Sequence, residues 1–169
     1  AAYTLEPDKL VGWNYELSPK EKQFNPSKYH DLPVLGGWFS KNTGNNEEIL
    51  KVAPDVIIHM SPINETEISL ADRIQEQLKI PVIVLDEDLE KTPETYLFLG
   101  EVLDNQDRAK IMADYCKDAI DEVTAKVQTI PEDDKVKVYY AEGPDGLETD
   151  PKGSSHTKVL DMVGGINVA

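Results

Sequence analysis

The sequence predicts an α/β chain: a parallel-sheet lobe with flanking helices, a long connecting helix, and the start of a second α/β lobe. Three observations carry this. Apolar runs bounded by turn residues alternate with helix-period segments along the chain. DVIIHM (55–60) and PVIVLD (81–86) are near-continuous apolar runs, the pattern of strands covered on both faces. Residues 106–129 contain neither Pro nor Gly and repeat small and apolar residues at helical spacing. At ~1.5 Å per residue that helix is about 35 Å long, enough to cross a small domain.

The elements follow in order. KLVGW (9–13) and LPVLGG (32–37) predict two short strands, separated by a polar turn containing Pro19 and Pro26. NNEEILKVA (45–53) predicts a short helix capped by Asn45 or Asn46 and stopped by Pro54. After the 55–60 strand, Asn64 and Glu67 make a capping-box-like start. Ile68, Ala71, Ile74 and Leu78 then form one helical face. After the 81–86 strand, Thr92 and Pro93 read as an N-cap and first-turn proline, with Tyr96, Leu99, Val102 and Leu103 continuing the helix. VKVYYAEG (136–143) predicts a new strand, SHTKVLDMVGG (155–165) a helix with a Gly-Gly stop, and INVA the start of another element. This divides the chain into a lobe at 1–104, a connecting helix at 105–130 and the beginning of a second lobe at 131–169. The opening AAYTLEPDKLVGW reads as a last helical turn feeding a strand, so a trimmed start is expected. Two strands do not make a stable sheet alone. The second unit is therefore expected to lean on the first, to pair with another copy of the chain, or to continue further.

Composition narrows the classes. A net charge of −15 over 169 residues repels phosphate backbones and anionic membrane faces, so no nucleic-acid partner is expected. One cysteine, Cys116, excludes an internal disulfide and a cysteine-rich zinc site. No apolar run reaches the ~18 residues of a membrane span.

Ligand-facing candidates gather at strand ends. AEGPDGLETDPKGSSHT (141–157) is a long polar Gly-rich loop after a strand, a place where ligands bind in α/β proteins. Its order fits neither a phosphate-binding P-loop nor a dinucleotide fingerprint, and Asp145, Glu148 and Asp150 would repel a phosphate. Trp13, Asn14 and Tyr15 follow the first strand, Trp38 and Phe39 the second, and His59 and Met60 close the third. Aromatics at such a rim suit a large flat or apolar-edged ligand. Each could equally cap its own core. The three histidines lack metal-binding spacing, so each is expected to be structural and no metal site is expected; His156 could cap the helix it begins. Glu65 and Glu67 read as first-turn acids favoured by the helix dipole. No nucleophile elbow, Cys–His pair or His-Glu-x-x-His motif occurs, so no catalytic residue and no enzyme activity is expected.

Taken together, LVGWNYE, LPVLGGWF, GNNEEILKVAPDVIIHM, IPVIVLD, the long helix and VKVYYAEGPDGLETD…GSSHTKVLDMVGGINVA resemble the substrate-binding proteins of ABC importers for iron–siderophores, haem and cobalamin. These are class III periplasmic binding proteins. The resemblance covers nearly the whole chain. It implies two α/β lobes joined by one rigid backbone helix, with the ligand between them. It places Trp13, Asn14, Tyr15, Trp38, Phe39, His59, Met60, Glu142, Gly143 and Leu147 on the ligand side. It implies a docking glutamate for the permease at Glu47, an extracytoplasmic location, and an iron chelate as ligand with no resident cofactor. Members run to about twice this length, in line with two ordinary domains. The chain thus reads as a fragment, with an open sheet edge that invites self-association. Alternatives left open are a small oxyanion such as molybdate as ligand, an α/β ligand-sensing module, and a metal-cluster or nucleotide enzyme domain.

Overall fold

The structure, a computed structural model, describes residues 1–39 and 43–169. Helix α1 (Ala2–Leu5) leads through a 3-10 turn to Trp13, which forms a parallel bridge with Val34. Helix α2 (Pro19–Lys22) lies in the connection, capped by Ser18 and Glu21 in a reciprocal capping box. Helix α3 (Asn46–Val52) is followed by β1 (Ile57–Ser61), α4 (Glu65–Leu78), β2 (Val82–Asp86), α5 (Thr92–Val102) and α6 (Gln106–Val127). Strand β3 (Lys137–Val138), helix α7 (Lys158–Met162) and β4 (Ile166–Asn167) complete the chain.

Strands β1 and β2 pair in parallel from Ile57↔Val82 to Ser61↔Asp86, and β3 and β4 pair in parallel separately. The β1–β2 layer lies between two cores. On one side Leu5, Leu85, Leu99, Leu103 and Ala109 cluster, with Ile58 and Ile83 against them. On the other, Ile49, Ile74, Leu78 and Ile80 cluster, with Ile57 and Val82. Alternate residues of each strand therefore feed opposite cores, which explains the unbroken apolar runs. Each such side chain contributes about 1.5–3 kcal/mol on burial.

Several elements differ from their sequence expectation. The 9–13 and 32–37 strands reduce to the single Trp13–Val34 bridge, with Trp13 N–H donating to Pro33 O at 2.9 Å and Leu35 N–H to Trp13 O at 2.8 Å. Pro33 has no N–H to extend the ladder, and Gly36 turns the chain out at φ 70°. The 136–143 strand pairs only at Lys137–Val138, because β4 offers just two residues. The 155–165 helix begins as a 3-10 turn and is helical only over Lys158–Met162. Ile68 turns outward, while Ala71, Ile74 and Leu78 are buried as expected. Helix α3 ends at Val52, and Ala53 caps it in the left-handed conformation just before Pro54. Thr92 lies inside α5, whose cap position is Lys91.

Helices α5 and α6 pack tightly. A Cβ on Gly100 would collide with the Cβ of Ala109, so small residues on both helices set their spacing. Of α6, only Ala109 and Ala113 are buried; Met112, Cys116, Ile120, Val123 and Val127 are half-buried and Ala119 is exposed.

Candidate functional site

The parallel pair β1–β2 sends its carboxyl ends, Ser61 and Asp86, to one edge, where the candidate rim begins. The expected rim residues separate into packed and exposed ones. Trp13 is half-buried: its Nε1–H donates to Tyr29 O at 2.7 Å, and its ring lies 5.4 Å from that of Tyr3. Trp38 packs on the Ile49–Ile74 core and lies flat over Gly44, where any side chain would strike its ring. His59 is 8% exposed, and its Nε2 lies 2.8 Å from Glu67 Oε2 on α4. All three therefore pack or bond within the protein rather than project into solvent. Glu67 meets His59 instead of completing the capping box, since only the Asn64 side chain bonds back, to the Glu67 N–H at 3.0 Å.

Asn14, Tyr15, Phe39 and Met60 face solvent. Asn14 and the Phe39 ring both approach the face of Gly37, within 4 Å of where its Cβ would sit, so the 13–15 and 37–39 turns adjoin. Tyr15 donates its hydroxyl to Glu21 at 3.2 Å, and the charge of Glu21 raises the phenol's pKa. Segment 40–42, between Phe39 and α3, lies outside the described residues. Two surface depressions lie away from this rim, one lined by Glu132, Lys135, Lys152 and Asp161, the other by Asp72, Gln75, Glu76 and Lys79.

The Gly-rich loop is folded on itself. Glu142 and Glu148 bridge in antiparallel fashion through bonds of 2.7 and 3.2 Å. Gly143 and Gly146 take φ values of 72° and 67°, a region that L side chains rarely adopt, and so allow the reversal. Leu147 projects from its tip, 83% exposed. At the far end Lys158, first residue of α7, pairs with Asp88 at 3.3 Å and with Glu90, both just beyond β2. This contact ties the loop's end to the rim side of the β1–β2 pair. Sequence reading missed Asp88 and Lys158, because a pairing across 70 residues leaves no local pattern. Glu47 is exposed in the first turn of α3.

In open parallel α/β layers, ligands bind at the edge where the strands' carboxyl ends emerge. Residues 5–168 match the family model described as periplasmic binding protein, and the chain belongs to that family. It is a family of binding proteins rather than of enzymes. Comparison with curated proteins finds no match. Among solved structures, the chain is similar to an ABC transporter solute binding protein from Sulfurospirillum deleyianum DSM 6946, at 33% identity and a TM-score of 0.88. That alignment covers 98% of this chain and 52% of the other. The fold is also that of the periplasmic vitamin B12 binding protein BtuF of Vibrio cholerae, at 20% identity, TM-score 0.71, covering 98% of this chain and 60% of that one. S. aureus IsdE complexed with heme aligns at 21% identity, TM-score 0.70, covering 99% of this chain and 62% of that one. The chain spans between 52% and 62% of the length of these three structures. Among the described residues, no helix is long and apolar enough to cross a membrane.

Proposed function

We propose that the chain captures an iron–siderophore, haem, cobalamin or similar metal chelate outside the cytoplasm and presents it to the permease of an ABC importer. The observation that carries this reading is the family match across residues 5–168, on a chain whose strand-end rim exposes Asn14, Tyr15, Phe39 and Met60. Aromatic and thioether groups suit the faces of a large chelate. Glu142, Gly143 and Leu147 would meet the ligand from the Gly-rich loop. Trp13, Trp38 and His59 would support the rim from behind. In this reading the lobes are 1–104 and 131–169, and 105–130 is the helix between them. Glu47 would dock an arginine of the permease through a charge-assisted pair.

Binding is non-covalent, and the ligand is cargo. The test is tryptophan fluorescence and calorimetry of the chain titrated with ferric siderophores, haem, cobalamin and molybdate. A saturable response to one chelate supports the reading. A response to molybdate alone moves it to a small oxyanion. Silence across the panel overturns it.

A further inference from the structure

We infer that Glu142, Asp150 and His156 form a binding site for one divalent first-row transition-metal ion on the Gly-rich loop. This inference rests on the loop alone and stands apart from the transport reading. Each residue offers one ligand atom, and the three atoms lie within 4.8 Å of one another. His156 Nδ1 is 3.4 Å from Glu142 Oε1 and in contact with Asp150 Oδ2. Ligands at ~2.0–2.2 Å from a tetrahedral ion stand about 3.4 Å apart, so the Glu142–His156 edge already has the right length. A rotation of the Asp150 carboxylate opens the second edge.

One further observation is consistent with an ion. Asp150 Oδ2 is itself shielded from solvent, makes no hydrogen bond and touches the His156 imidazole nitrogen, another of the three donors. A cation seated between the two would compensate that shielded oxygen. The three positions are held by separate ties. Glu142 is fixed by its two-way bridge with Glu148. Asp150 O accepts from Asn167 Nδ2 at 2.9 Å. The His156 N–H donates to Ser154 Oγ at 3.2 Å, and the buried Thr157 hydroxyl next to it donates to Pro151 O at 3.0 Å. The donors are thus brought together before any ion arrives.

The donor set selects the ion. One imidazole and two carboxylates suit Zn²⁺, Mn²⁺, Fe²⁺ or Ni²⁺. Ca²⁺ prefers six to eight oxygens, and Mg²⁺ keeps its waters. Three protein ligands leave at least one position for water or for a donor atom from another molecule. An ion here would cross-link residues 142, 150 and 156 and stiffen the loop.

The experiment uses chelator-stripped protein with Zn²⁺ alone in calorimetry and Co²⁺ alone in visible absorption. One equivalent is expected to bind, with a Co²⁺ spectrum showing nitrogen and oxygen ligation. His156→Gln and Asp150→Asn should each weaken binding at least tenfold, and Glu148→Gln should leave it unchanged. Circular dichroism reports folding; should Asp150→Asn unfold, His156→Gln, at a side chain 62% exposed, carries the test. No saturable binding, or binding that persists unweakened in His156→Gln, overturns the site.

Discussion

His59 Nε2 on β1 lies 2.8 Å from Glu67 Oε2 in the first turn of α4, and this bond fastens the strand to the helix that follows it. The strand ends two residues later at Ser61, so the bond holds the rim at its base. Glu67→Ala leaves a buried imidazole without this partner. It should cost about 1–2 kcal/mol, a fall of roughly 2–8 °C in Tm for a chain of this size. Thermal unfolding by circular dichroism checks it; an unchanged Tm would show that the bond contributes nothing.

Lys158 and Asp88 should leave a mark on pH dependence. Asp88 is held below its ordinary 3.8, first by the Glu90 N–H and then by Lys158. Lys158 is raised above 10.5, chiefly by its bond to Glu90. A lowered acid contributes stability that is full above 3.8 and is lost as pH falls through its folded value. A raised base contributes stability that is full below 10.5 and is lost as pH rises through its folded value. Wild type should therefore exceed Lys158→Met by a small constant margin between those limits, and the margin should close at both ends. The groups are partly exposed, so about 0.5 M salt should shrink it. A margin indifferent to pH and salt would mean that lost packing, not charge, explains it.

Gly100 and Ala109 make a closed pair. Gly100→Ala should cost about 1–3 kcal/mol through overpacking. Adding Ala109→Gly should recover part of that loss, giving a favourable coupling in a double-mutant cycle by urea denaturation. Strict additivity would mean that the helices simply move apart.

Phe39 and Trp38 should behave oppositely. Trp38→Ala removes a half-buried ring from the Ile49–Ile74 core and should cost about 2 kcal/mol. Phe39→Ala, at a 44% exposed ring, should leave Tm nearly unchanged and weaken chelate binding several-fold. Titration calorimetry decides: full affinity in Phe39→Ala removes Phe39 from the site.

Glu47→Ala should leave both stability and chelate affinity intact while lowering uptake in a reconstituted transport assay. Normal uptake would make Glu47 an ordinary first-turn acid.

The layered core was legible in the sequence because its signal is local. Val56 to Ile58 and Val82 to Leu85 announce buried strands by their unbroken apolarity, and Asn45 and Asn64 announce helix starts by their caps. The short pairings were not, because Trp13–Val34 and β3–β4 depend on partners far away and on single breakers such as Pro33. The aromatic residues at strand ends were legible as positions but not as orientations: Trp13 and Trp38 turn inward, Tyr15 and Phe39 outward. The Glu142, Asp150 and His156 cluster was hidden because loop folding, not periodic spacing, brings its members together.

Helix α6 is buried only near its beginning, at Ala109 and Ala113, yet it meets Gly164 through Val127 at its far end. The Lys158 pair with Asp88 and Glu90 is a second tie between that end and the β1–β2 pair. Helix and ion pair together make a two-point brace rather than a free arm. A change at the Gly100–Ala109 seat is then resisted at the far end by a contact that shares no residue with it.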